Sequence, residues 1–169
     1  MIRGEFMVIW LMGLAGSGKS TLGRLLYTKL KSEEVDNLVY LDGDEFRKII
    51  GAFGYDKSSR IEVAKKRAML CEMLSSQGLI VIASSISMFK ENYEFNREYI
   101  KKYFEVYIQC DMTELKRRNQ KGLYSGKVKD VVGLDIEIDN PQADLTLDNR
   151  EGKLEKNLEI LVDFFKSHQ

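Results

Sequence analysis

The 169 residues carry 26 Lys+Arg and 26 Asp+Glu, a formal net charge of zero. That balance excludes a global electrostatic pull toward nucleic acid or an anionic membrane. No apolar run approaches the ~20 residues needed to span a bilayer, and the length fits one domain with a sizeable core. Cys71 and Cys110 both sit in apolar surroundings. They read as buried thiols rather than a disulfide or a catalytic pair, and make the cytoplasm the expected compartment. Residues 1–6 (MIRGEF) read as a vector-derived leader before a natural start at Met7, so a single domain over 7–169 is expected.

The first predicted element is a strand, Met7-Val8-Ile9-Trp10-Leu11-Met12. It runs into Gly13-Leu14-Ala15-Gly16-Ser17-Gly18-Lys19-Ser20-Thr21, which matches G-x-x-x-x-G-K-[ST] at every defined position. Glycines let the backbone turn so that successive N–H groups point at phosphate oxygens. Gly13, Ala15, Gly16, Ser17, Gly18, Lys19, Ser20 and Thr21 are therefore the expected nucleotide-binding residues. Lys19 reaches the outer phosphates and the Ser20 hydroxyl holds Mg²⁺. A helix starting near Ser20 and running through Leu22–Leu30 presents its positive end to the same phosphates. A strand before and a helix after set this loop apart from an accidental Gly/Ser turn.

Val39-Tyr40-Leu41 is the second predicted strand. It ends in Asp42-Gly43-Asp44-Glu45-Phe46-Arg47, which fits both a helix N-cap and ligand binding at the carboxyl end of a parallel strand. Gly51 to Ser59 reads as a polar loop. Ile61 to Gln77 reads as a helix with Ile61, Ala64, Ala68, Cys71 and Leu74 on one face, closed by Gly78. Leu79 to Ala83 is a continuous apolar run, expected of a central strand, with a polar end at Ser84-Ser85-Ile86-Ser87. A helix over Glu91–Lys102, a strand over Phe104–Ile108 and a short helix over Met112–Arg118 follow. Residues 119–132, rich in Gly and Lys, are expected to form a lid over phosphates. A strand over Ala143–Leu147 and an amphipathic helix over Leu154–Phe165 close the chain. Strands alternating with helices give an α/β class: a five-stranded parallel sheet flanked by helices on both faces, in the P-loop nucleoside-triphosphate kinase fold.

A phosphate loop serves ATPases, GTPases and small-molecule kinases. The guanine-reading Asn-Lys-x-Asp stretch is absent, and Asp130-Val131-Val132-Gly133 matches D-x-x-G too late in the chain to be a switch. A motor ATPase needs further domains. A small-molecule kinase using ATP and Mg²⁺ fits the length, the lid and the acidic strand end. Asp44 is the best-placed carboxylate to accept a hydroxyl proton, and Asp42 is the second metal candidate. The alternative from another class is a regulator that binds ATP without turnover.

Over nearly its whole length the chain resembles the adenylylsulfate kinases. The resemblance rests on Gly13–Thr21, Leu41–Arg47, Gly78–Ala83, Ile86-Ser87, Phe104–Tyr107 and Lys121-Gly122-Leu123-Tyr124. It implies transfer of the ATP γ-phosphoryl group to the 3′-hydroxyl of a nucleotide with a 5′ mixed anhydride. It also implies that Asp44 is the base, that Arg47 and Arg60 hold the acceptor's 5′ anions, and that Lys121 acts near the reacting phosphoryl group. Arg118 would lie over the ATP adenine. Ser85, Ile86, Ser87, Gly122 and Leu123 would line the acceptor side. Ser87 occupies the position of a serine sometimes assigned as a phosphorylated intermediate, and direct transfer is favoured because Asp44 supplies a base. The partner is a small-molecule nucleotide, with neither nucleic acid nor membrane, and the family's dimers make a homodimer an expectation.

The departures from that family are concentrated on one side. The family's two adenine-clasping phenylalanines read here as Ser85 and Val131, its Asn as Val63, and its Pro after Ile-Ser as Met88. The lid is a few residues shorter. Each aromatic contact is worth about 0.5–1.5 kcal/mol beyond area burial, so losing both shifts affinity by roughly one to two decades. The ATP side is retained and the acceptor-base side rewritten, which resembles the branch acting on cytidine diphosphoramidate in capsule phosphoramidate synthesis. An adenylylsulfate kinase whose adenine site is repacked with Phe53, Tyr55 or Phe89 is the alternative.

Overall fold

The computed structural model describes residues 5–169. The leader reading of residues 1–4 lies outside the described residues; of its remainder, Glu5 pairs with Lys102 at 2.6 Å and Phe6 is exposed. Five strands, β1 (Met7–Met12), β2 (Leu38–Leu41), β3 (Ile80–Ser85), β4 (Tyr103–Gln109) and β5 (Leu145–Asp148), form one all-parallel sheet in the order β2-β3-β1-β4-β5. Six α-helices connect and cover them: α1 (Lys19–Ser32), α2 (Gly43–Ile49), α3 (Lys57–Ser75), α4 (Lys90–Tyr99), α5 (Met112–Arg118) and α6 (Leu154–Ser167). Among the described residues no helix is long and apolar enough to cross a membrane.

All six residues of β1 are buried, because strand alternation sends them to two different cores. Met7, Ile9 and Leu11 join Leu22, Leu26 and Leu30 of α1 and Leu161, Val162 and Phe165 of α6. Val8, Trp10 and Met12 join Ala64, Ala68 and Cys71 of α3 on the opposite face. A central strand covered on both sides reads as an unbroken apolar run for this reason. The chain leaves β1 toward β2 and β3 on one side and later adds β4 and β5 on the other. The carboxyl end of β1 is therefore where ligands are expected in an open α/β sheet. Cys71 and Cys110 are both free and buried, and burial pushes the Cys71 thiol up to about 12.

Several boundaries differ from the periodicity reading, each for a local reason. Helix α2 is added because the Asp42 side chain accepts from the Asp44 and Glu45 N–H groups and caps a new helix. Helix α3 starts at Lys57 rather than Ile61, because Asp56 caps it through the Ser59 N–H at 3.0 Å and gathers the Ser58 and Ser59 hydroxyls. Strand β3 continues through Ser84 and Ser85, which are buried although polar. Helix α4 stops at Tyr99, where Ile100 turns extended to bury its side chain. Gly78 does close the helix before it, in the left-handed region at φ 87°.

The two-sided core yields a contrast that urea unfolding can measure. Leu30→Ala, in the α1–α6 core, is expected to cost about 2–5 kcal/mol. Ile49→Ala, 83% exposed on α2, is expected to change stability by less than about 0.5 kcal/mol. Equal losses at the two sites would show that burial is not what holds α1 in place.

Candidate active site

The turn between β1 and α1 is held by side chains, Lys19 from the cavity side and three others from elements around it. Four consecutive carbonyls each accept one: Leu14 O from Lys19 Nζ at 2.8 Å, Ala15 O from the Tyr124 hydroxyl at 2.6 Å, Gly16 O from Arg118 at 2.9 Å, and Ser17 O from Asn149 at 2.7 Å. Leu14 O also accepts the Ser17 N–H at 3.1 Å and faces into the turn, whereas the Ala15, Gly16 and Ser17 carbonyls are drawn to side chains of other elements and carry the following N–H groups on the other side, the geometry of an anion-binding nest. Gly18, at φ 100°, turns the chain into α1 and has no room for a side chain: a Cβ there would lie 2.2 Å from the Asn149 amide. Gly13 is equally constrained, with Ile108 O 2.5 Å from its Cβ position.

A cavity of about 560 Å³ opens in front of this loop. Of the residues singled out from sequence, Ala15, Gly16, Gly18, Lys19, Ser20 and Thr21 line its phosphate end. Asp44, Arg47, Arg60, Ser85, Ile86, Ser87, Lys121 and Leu123 line the rest. Gly13, Ser17, Asp42, Arg118 and Gly122 do not line it. Gly13, Ser17 and Arg118 shape the loop from behind, and Asp42 sits one step back as the α2 cap. The 119–132 segment contains a single 3₁₀ turn, Gln120–Gly122, and contributes eight lining residues, from Gln120 to Val132. Val63, Ser85 and Val131, three of the departures noted above, share the cavity, and all three are buried.

Across the mouth, Lys121 donates to the Asp44 carboxylate, and that bond holds the Lys121 ammonium above its ordinary value. Arg47 donates to Gly54 O and lies 4.5 Å from the centre of the Tyr55 ring. Arg60 lies 5.3 Å from the same ring, donating to Tyr55 O at 2.6 Å and Asp130 O at 3.0 Å. Burial, together with the neighbouring Arg47 charge, lowers Arg60. The Ser87 hydroxyl is occupied: it donates to Arg60 O at 3.0 Å. Asp42 is almost buried, which by itself would raise its carboxyl. Hydrogen bonds from Ser20, the Asp44 and Glu45 N–H groups and Tyr40 outweigh burial and hold it below the usual value.

Three features were not singled out from sequence. Asn149, after β5, joins the loop to Asn157 of α6 and to Arg118. Tyr55 bridges the two arginines, although it was considered only as a replacement ring. Arg67, on α3, lines the cavity while almost wholly buried. Its signal was available: it falls three residues after Ala64 and four before Cys71, on the apolar face of α3. Phe89, one of the suggested replacement rings, is fully buried and does not line the cavity, so it is removed from that role; Phe53 and Tyr55 do line it.

Lys19 is buried with the carbonyl of Leu14 as its partner, and desolvation lowers its ammonium to about 8 despite the Asp44 and Asp42 charges. A lysine lowered in the folded state binds fewer protons there than when unfolded, so stability rises as pH climbs through that interval. Wild type without nucleotide should thus gain stability on Lys19→Met between about pH 8 and about pH 10.5. Urea unfolding at a series of pH values checks this, and a constant difference would mean that Lys19 titrates normally.

Residues 5–148 match the Adenylylsulphate kinase family model. The cytidine diphosphoramidate kinase of Campylobacter jejuni is 50% identical over 160 residues, covering 92% of this chain and 94% of that protein. The adenylyl-sulfate kinase of Pseudomonas aeruginosa is 32% identical over 170 residues, covering 96% and 86%. Among solved structures, the Mycobacterium tuberculosis APS kinase in complex with AMPPNP and APS superposes with a TM-score of 0.86 at 25% identity, covering 96% and 98%. A shikimate kinase from Acinetobacter baumannii, at 17% identity and a TM-score of 0.63, shares the fold alone. With its phosphate-loop turn, its cleft and these relatives, the chain is a phosphotransferase that belongs to the adenylylsulphate kinase family.

Proposed function

We propose that the chain transfers the γ-phosphoryl group of ATP to the 3′-hydroxyl of a nucleotide with a 5′ mixed anhydride, and that this acceptor is cytidine diphosphoramidate. The observation that carries the choice is the acceptor half of the cleft, where Val63, Ser85 and Val131 stand as small buried walls while the phosphate end keeps every loop residue. The higher identity to the Campylobacter kinase than to the adenylyl-sulfate kinases supports the same acceptor.

In this reading the acceptor's 3′-oxygen attacks the γ-phosphorus, the bond to the β–γ bridging oxygen breaks, and the hydroxyl proton passes to Asp44. Lys19 and the loop N–H groups hold the phosphates, and Lys121 moves from Asp44 to the transferring group, whose charge its ammonium offsets. Arg47 and Arg60 hold the 5′ anions. Ser87 anchors the Arg60 backbone, and with its hydroxyl engaged there the transfer is direct. Arg118, fixed between Glu114, Gly16 and Asn149, would flank the adenine of ATP.

The donor set fits Mg²⁺. Among the described residues no group of three His, Cys, Asp or Glu forms a metal cage. Mg²⁺ bound by one or two protein oxygens plus phosphates and waters needs none. Ser20 and the ionised Asp42 would hold it, Asp42 through water. When bound, the ion neutralises charge on the β- and γ-phosphates.

A coupled ADP-release assay with Mg²⁺-ATP tests the acceptor. Cytidine diphosphoramidate should be preferred over adenylylsulfate by about tenfold or more. The reverse preference would mean that Phe53 and Tyr55 rebuild an adenine site, and the adenylylsulfate reading would replace this one. Asp44→Asn should lower kcat by about 10²–10⁴-fold with ATP affinity retained. Full activity in that variant would overturn Asp44 as the base, and turnover of the wild type with neither acceptor would leave the kinase chemistry standing and the acceptor open.

A further inference from the structure

Arg67 is the feature of the cleft that the reaction above does not use. It is 3% exposed yet lines the cavity, and its hydrogen-bond acceptors are two backbone carbonyls, Ser84 O at 2.9 Å and Gly43 O at 3.1 Å. A guanidinium carries five N–H donors. Here Nε has no acceptor, and Nη1 and Nη2 each spend one N–H on a carbonyl. Desolvation lowers the group to about 10, so it stays charged at neutral pH. Buried charges are ordinarily paired with an opposite charge, and a buried donor left without an acceptor calls for an explanation.

The surroundings hold this guanidinium still. It lies 5.1 Å from the centre of the Phe46 ring and 5.8 Å from that of Trp10, which favours a cation electrostatically. Gly43 lets α2 start close against this group, since a Cβ there would lie 2.8 Å from Ser84 O, the carbonyl that accepts from Arg67. Arg47 and Arg60 occupy the more open part of the cleft and are engaged around Tyr55. They are the cations assigned to the acceptor's anionic end, which leaves Arg67 for a neutral, electron-rich group. Val63, one helical turn earlier on α3, and Ser85 beside Ser84 are the small walls next to it.

We propose that Arg67 reads the acceptor base, donating from its guanidinium fork to the adjacent O2 and N3 acceptors of cytosine. The inference rests on the acceptor reading above. An arginine fork recognises two neighbouring acceptors, as it does on the O6 and N7 edge of guanine. Adenine offers N1 flanked by an amino donor, which turns an N–H toward the arginine and leaves one of its donors unpaired. Arg67 is thereby a specificity-determining residue, and the missing aromatic walls and the buried cation become two parts of one exchange, stacking replaced by edge recognition.

The test compares wild type, Arg67→Lys and Arg67→Met on cytidine diphosphoramidate and adenylylsulfate with saturating Mg²⁺-ATP. Both variants should lose about 10–100-fold in kcat/KM for the cytidine compound, mainly through KM, while the value for adenylylsulfate holds or rises. If both acceptors fall by the same factor, Arg67 is a structural clamp on Gly43 and Ser84 and the inference is overturned while the acceptor stands. If the wild type prefers adenylylsulfate, the proposed acceptor is overturned and the role of Arg67 falls with it. Should the variants fail to fold, calorimetry on the wild type with saturating ADP decides: affinity in the order CMP, UMP, AMP supports the reading, and AMP binding as tightly as CMP overturns it.

Discussion

The site depends on four consecutive loop carbonyls, each held by a side chain. Leu14, Ala15, Gly16 and Ser17 each present their oxygen to a donor side chain, and the donors come from α1, the 119–132 segment, α5 and the residue after β5. A peptide group is planar, so fixing the carbonyl fixes the N–H. The glycines make the turn feasible, but glycine permits many turns. The donor side chains select one of them, and a net hydrogen bond of about 1 kcal/mol each is enough, four times over, to bias a short loop strongly. Asn149 is the strictest of the four, because its amide fills the space that any side chain at residue 18 would need.

Much of this was legible in the sequence because local rules and global architecture agree there. The apolar run Met7–Met12 followed by a phosphate-loop pattern defines β1, the turn and α1 in one reading, and the alternation of strands and helices gives the sheet. What was not legible depended on contacts distant in sequence. Ser84 and Ser85 look like a strand end, yet parallel pairing with Leu11 and Met12 carries β3 through them. Arg67 follows Lys65 and Lys66 and so looks like part of a solvated charge run, while its position on the helix turns it inward. Nothing near Asn149 announces that it reaches Ser17, 132 residues away.

The two ends of the cleft are built on different principles. At the phosphate end, backbone geometry is fixed in advance. At the opposite end, side chains from α2, α3, the end of β3 and the 119–132 segment set both shape and charge. Arg47 and Arg60 approach one tyrosine ring, close enough for the Arg47 charge to lower Arg60. Two like charges held together repel, and the electron-rich face of the Tyr55 ring, which both approach, offsets part of that repulsion. The Asp44–Lys121 pair is the opposite arrangement, in which each charge already has its counter-charge.

The grip on the phosphate loop also has a direction in time. Of its four side-chain donors only Lys19 lies near the loop in sequence; Arg118, Tyr124 and Asn149 come much later, and Asn149 is itself held by Asn157. Synthesis delivers the N-terminal segments first. A chain still on the ribosome therefore displays the motif, strand and helix well before it can orient them. The loop's geometry is therefore completed only near the end of translation, and shortened products that stop before β5 carry the phosphate-loop pattern without all the contacts that orient it.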